Sequence, residues 1–178
     1  MDGEQYDFGD GKGLVPAHRH HNMAGLLGGW VADTATISAQ AYIGAEAVVF
    51  GYAQVLGGAM VVSGRIYDFA LIENHAHIGN HAWVYGHAVV AERAAVRGRS
   101  HIRGHAVVSG RAEITGESMV FGWAIVKGTA LVDMASRVGG VAVLRNDEVV
   151  MGKKLLVTEQ SRHNALQAVT ALDQSLAS

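Results

Sequence analysis

An aliphatic residue recurs every six positions over most of this chain. From Val31 the series runs through Ile37, Ile43, Val49, Val55 and Val61. It then drops one residue near Ser63-Gly64-Arg65 and resumes at Ile66. From there it continues through Ile72, Ile78, Val84, Val90, Val96, Ile102, Val108, Ile114, Val120, Val126, Val132, Val138, Leu144 and Val150. A small residue stands two places before the aliphatic, as at Ala35, Ala47, Ala82, Ala106, Ser118 and Ala130; Glu148 is the exception in the last hexad. Two places after it Gly recurs, as at Gly51, Gly86, Gly104 and Gly128, with Asp33, Asp68, Asn74, Asn80 and Asn146 elsewhere. Gly, Asn and Asp tolerate positive φ at a turn. That need accounts for 23 glycines beside a single proline.

A small and a β-branched residue two apart mark the inward face of a short strand. A turn every six residues bends the chain after each strand, and three bends close a triangle of about 18 residues. Stacked triangles pair their strands in parallel at about 4.8 Å. The hexads therefore predict an all-β parallel β-helix of about seven coils, roughly 34 Å long on that spacing. The period of six rules against an amphipathic helix, which repeats near 3.6. A β-sandwich would need longer, less regular strands.

The hexads resemble those of the left-handed parallel β-helices of the hexapeptide-repeat superfamily, over residues 29–152. The segment Gly28-Gly29-Trp30-Val31-Ala32-Asp33-Thr34-Ala35 resembles the opening of a poorly characterised bacterial and phage group described as acyltransferase-like. Gly9-Asp10-Gly11 and Pro16-Ala17-His18-Arg19-His20 are similar to that group as well. The resemblance implies the left hand and a homotrimer. It also brings a family activity, coenzyme A-dependent acyl transfer with a catalytic histidine and a coenzyme A groove between subunits.

The flanks differ from the hexads. Residues 1–28 carry no strand pattern and are expected to cap the first coil, since open solenoid ends expose unpaired strand edges. In residues 153–178, the stretch 158–177 reads as a helix. Thr158 would be its N-cap, with an apolar stripe of Leu166, Val169, Leu172 and Leu176. Net charge is −2 with 17% charged residues, which argues against nucleic acid as a partner. Cysteine is absent, so disulfides, thiolate metal sites and cysteine nucleophiles are excluded. No apolar run approaches the ~20 residues of a membrane span, and the N-terminus lacks a signal-peptide pattern. The expected location is the cytoplasm.

Stacking at intervals of 18, or 17 across the lost residue, lets the exterior be read. Leu71, Val89, Val107, Ile125 and Val143 form one outward column. The neighbouring turn column holds Tyr52, Phe69, His87, His105 and Trp123. So long an apolar stripe should not face water, and a subunit interface of a homo-oligomer is preferred to coverage by the terminal helix. A second face carries Trp30, Phe50, Tyr67, Trp83, Tyr85, His101, Arg103, Met119 and Phe121. Rings mixed with Arg and His suit a flat anionic ligand, and Tyr67, Trp83, Tyr85, His101, Arg103 and Phe121 are its candidate binding residues. A third face, with His77, Arg97, Glu113, Thr115 and Asp133, reads as solvated.

Six of the ten histidines lie between positions 75 and 105. Turn positions repeat, so a turn-favoured polar residue repeats with them. His87 and His105 fall on adjacent coils and would be the general-base candidates of an acyltransferase. The hexads carry no loop insertion of the kind that shapes a substrate pocket, and no metal site is assigned. The expected function is a non-catalytic binding protein that holds a small anionic, nucleotide-like ligand or a partner protein, with no cofactor. In a phage setting this would mean sequestering a signal from host defence. The alternatives are a coenzyme A-dependent acyltransferase and a structural spike or scaffold.

Overall fold

The computed structural model describes residues 4–158, and within them the chain winds as a parallel β-solenoid. The first strands are β1 (Gln5–Asp7), β2 (Leu14–His21), β3 (Leu27–Ala32), β4 (Thr36–Ile37), β5 (Tyr42–Val49), β6 (Gln54–Val55) and β7 (Met60–Ile66). From Leu71–Ile72 onward most strands shrink to two residues between turns. On the first face, seven strands from β4 to Val143–Leu144 stack in parallel. Their register steps one coil at a time, as in Leu71 beside Val89 and Val89 beside Val107. The other two faces merge into one sheet of 15 strands.

The merger explains the lost residue in the repeat. Elsewhere a turn separates the third face from the second, but β5 and β7 run through that corner without a break. Between Ile43 and Glu46 their register shifts, so β5 bulges against the shorter β7. Gly64 sits there at φ +121°, and a Cβ would strike the Ala82 carbonyl. The missing position is thus absorbed at a bend that only glycine can make.

Inside the prism the repeated aliphatics form the core: Ile43, Val61, Ile78, Val96, Ile114 and Val132 are all fully buried. Alanines such as Ala53, Ala70, Ala88, Ala106 and Ala124 fill the corners, also fully buried. At the turns Asp68, Asn74, Asn80 and Asn146 have positive φ as expected, but so do Glu92 and Met134. Asp33 does not; its side chain instead meets the His18 ring at 2.9 Å. The pattern of turn residues was therefore a preference, overridden where pairing on both sides fixes the backbone.

Residues 4–28 lie over the first coil as strands and a short 3₁₀ turn rather than as irregular chain. β1 and β2 form an antiparallel hairpin, and β2 pairs antiparallel with β3. A 3₁₀ turn at Met23–Gly25 leads back into β3. Buried Asn22 imitates a strand residue: its amide NH₂ donates to the Ile43 carbonyl and its oxygen accepts from the Ile43 N–H, both at 2.8 Å. At the other end Leu155–Thr158 forms a strand paired with Arg137–Gly140, so the solenoid extends past residue 152. Thr158 is the last residue of that strand and of the described chain, and the expected 158–177 helix beyond it lies outside the described residues.

Ser100, Ser118 and Ser136 stack inside the prism, fully buried, with hydroxyls that find no partner among the described residues. Two stability predictions follow from these buried polar groups. Asn22→Ala should cost about 1–3 kcal/mol in urea unfolding, because it strands both backbone groups of Ile43. Ser118→Ala should cost nothing or gain up to about 1 kcal/mol, because an unpaired buried hydroxyl carries only its desolvation penalty. A large loss in the serine variant would reveal a hydrogen-bonded column.

Candidate functional site

Coil stacking turns single side chains into columns. On the corner beside the first face, Tyr52, Phe69, His87, His105 and Trp123 stack as one ladder of rings. Successive centroids lie 5.4, 4.9, 5.0 and 3.9 Å apart, and no pair is tilted by more than 11°. The ring edges face outward: Tyr52, Phe69 and Trp123 are 60%, 54% and 62% exposed. Beside them Leu71, Val89, Val107 and Ile125 are half-buried and Val143 is exposed. The structure thus assembles the full apolar stripe expected from the sequence on one edge of the prism.

This geometry bears on the two histidines. Parallel rings hold their nitrogen lone pairs in parallel planes, so His87 and His105 do not converge on a shared ion. Among the described residues no group of three or more His, Asp or Glu side chains is placed to hold a metal. Neither ring is oriented by a hydrogen bond to another described residue, the usual support of a general base.

The second face divides in two. Over its first coils lies the hairpin. Tyr6 stacks on Trp30 at 4.6 Å and Phe8 on Phe50 at 4.8 Å. Phe8, Ala17, Ala32 and Phe50 form a small separate core, with Trp30 and Tyr67 packed against it. Arg65 donates to the Phe8 carbonyl, and its guanidinium lies 5.2 Å from the Phe50 ring and 5.5 Å from the Trp83 ring. Trp30 and Phe50 therefore belong to the cap.

Below the hairpin the face is open. Tyr67 and Tyr85 stack at 4.8 Å, and Tyr67 also meets Trp83 edge-on at 6.3 Å. Burial pushes the Tyr67 hydroxyl up to about 12, so it stays a neutral donor. One coil below Tyr85 the ring column is interrupted by Arg103, whose guanidinium sits 5.6 Å from the Phe121 ring. Phe121 in turn lies flat over Gly139, where any Cβ would strike its ring. His101 is tilted against Trp83 at 5.2 Å. Burial, and then the Arg103 guanidinium, hold its pKa below the ordinary histidine value. Arg103 is exposed, and among the described residues it makes no salt bridge.

The six candidate binding residues thus share one face, with Tyr67 partly drawn under the hairpin. On the third face Arg97 and Glu113 form an exposed ion pair at 3.3 Å, whereas His77 is half-buried, with a buried Nδ1 that finds no partner among the described residues. A further basic ridge lies outside the columns read from the sequence. His75, Arg93 and Arg111 stand on successive coils beside Asn74 and Glu92 along the corner between the first and third faces. Stepping by 18 from His75 finds both arginines. All three side chains are exposed, and they form a ridge rather than an enclosure. No known family model, curated protein or solved structure matches this chain.

A pH prediction follows from the site. Burial is the main cause holding His20, His77 and His101 below the ordinary value of 6.5. On acidification the unfolded chain takes up these protons first. Their contribution is therefore complete above pH 6.5 and is lost as pH falls through and below it. The urea midpoint should drop between about pH 7.5 and pH 5.5. For His101, the Arg103→Ala variant should move its NMR titration upward, toward the ordinary value.

Proposed function

We propose that this chain is a non-catalytic binding protein that holds a small, flat, anionic ligand on the open half of its second face. The observation that carries this reading is Arg103, a guanidinium with no salt bridge among the described residues, set into a column of rings between Tyr85 and Phe121. Rings offer π faces and edges to a planar group, and the guanidinium offers a fork to phosphate or carboxylate. His101 and the Tyr67 hydroxyl, both neutral near pH 7, add hydrogen bonds without charge repulsion. A nucleotide-like compound has this combination of a flat ring and an anion. A coenzyme A-dependent acyltransferase is the rival reading; uninterrupted coils, and two histidines whose rings find no orienting partner among the described residues, weigh against it.

The hexads and the solenoid together support membership of the hexapeptide-repeat β-helices, with the left hand that implies. The exposed ring ladder supports a homotrimer whose protomers meet along that edge. Native mass spectrometry of protein purified from cells checks both parts. A trimer with a retained nucleotide-sized mass is expected, and Trp123→Glu should yield monomers. The Arg103→Ala, Tyr85→Ala double variant should lose the retained mass while staying folded. A trimer that binds coenzyme A and loses turnover with His87→Ala would favour the enzyme instead.

A further inference from the structure

The ring columns end differently at the top of the solenoid. One coil above Phe50 stands Ala32, too small to continue that column, and Phe8 of the hairpin occupies the rung. One coil above Tyr52 stands Thr34, also too small to continue its column. Its hydroxyl is turned down to donate to the Gly51 carbonyl. There no ring of the hairpin fills the gap. A cavity of about 380 Å³ opens at that place, between the hairpin and the corner that carries Tyr52.

The cavity walls are mainly apolar, from Phe8, Val15, Pro16, Ala32 and Phe50. Its rim is polar. Lys12 and Asp10 pair at 3.3 Å on the hairpin loop, and Asp33 lines the corner side, where the His18 ring meets its carboxylate at 2.9 Å. The backbone N–H of Lys12 holds the Asp10 carboxyl below its usual range, so an acceptor is maintained there at neutral pH. An apolar slot with a few polar groups at its mouth has the build of a small-molecule site, and its volume lies in the usual range for one.

We infer that this empty rung binds a planar heteroaromatic ring of one or two fused cycles, stacked on Tyr52 as the next member of the ladder, with an N–H directed to the Asp10 carboxylate at the rim. Phe8 shows, one column away, what such a rung accepts. A ring lying there would have Tyr52 on one side and the hairpin loop on the other. The site is separate from the face that carries Arg103 and does not depend on it. Nucleobases and indoles share the chemistry required: a flat apolar body with N–H donors at the edge.

Adenine and indole are the probes, with cyclohexylamine as a saturated control, measured by ligand-observed NMR and calorimetry on the intact protein. Both planar probes should bind saturably and the control at least tenfold more weakly. Thr34→Trp places a ring in the rung from within; it should weaken both probes at least tenfold and raise the melting temperature. Tyr52→Ala removes the lower ring and should weaken both probes at least tenfold, which keeps the test decisive if the tryptophan variant fails to fold. Arg103→Ala should leave both affinities unchanged while abolishing anion binding on the other face. Failure of the wild-type protein to bind either planar probe overturns the inference, as does equal binding of cyclohexylamine. Binding confined to the monomeric Trp123→Glu variant also overturns it, because a neighbouring protomer would then be the natural occupant.

Discussion

Parallel pairing between coils is the constraint on which this molecule depends. Each strand takes its backbone partners from the coil above and the coil below, as Val107 does from Val89 and Ile125. In strands this short, few hydrogen bonds hold any one rung, and register must come from the whole stack. The fully buried aliphatic columns supply it. Slipping one coil by a residue would turn its inward side chains out. The same constraint decides the exterior: a residue type that recurs at a corner becomes a column whether or not it has a task.

This view separates architecture from site. The ring ladder at the first corner is a direct product of stacking, and offset aromatic pairs at such spacing contribute about 0.5–1.5 kcal/mol each beyond area burial. Its histidines are rungs in that ladder. The second face is more selective. There an arginine interrupts a column of rings, and a glycine is required for a phenylalanine to lie flat. Breaks in a repetitive pattern carry more information than the pattern, because the solenoid itself has no need of them.

The fold was legible in the sequence since its signal is local and repeated: the hexads from Val31 to Val150 place every inward side chain. The outward columns were legible by the same arithmetic, so Tyr52 to Trp123 could be aligned before any coordinates. The hairpin was not. Its pairing with β3 joins segments without a shared period, and nothing in Tyr6 or Phe8 announces which rings they cover. Hence the columns alone place Trp30 and Phe50 on an outward face and reveal neither the hairpin over them nor the cavity above Tyr52. The last strand was not legible either, because Leu155–Thr158 pairs without carrying the hexad's small residue and glycine.

The corner crossed by β5 and β7 sets how such a chain can change length. A one-residue deletion is accommodated there because the strand bends through instead of turning, with the surplus of β5 taken up as a bulge. At any other corner, losing one residue would shift every later side chain out of its column, and all coils beyond would present the wrong neighbours. Change in length is therefore quantised. The prism can grow or shrink by whole coils, by loops that leave and rejoin at one corner, or by single residues at this seam. A survey of related chains would be expected to find its small insertions and deletions gathered there, with the second face kept in phase below it.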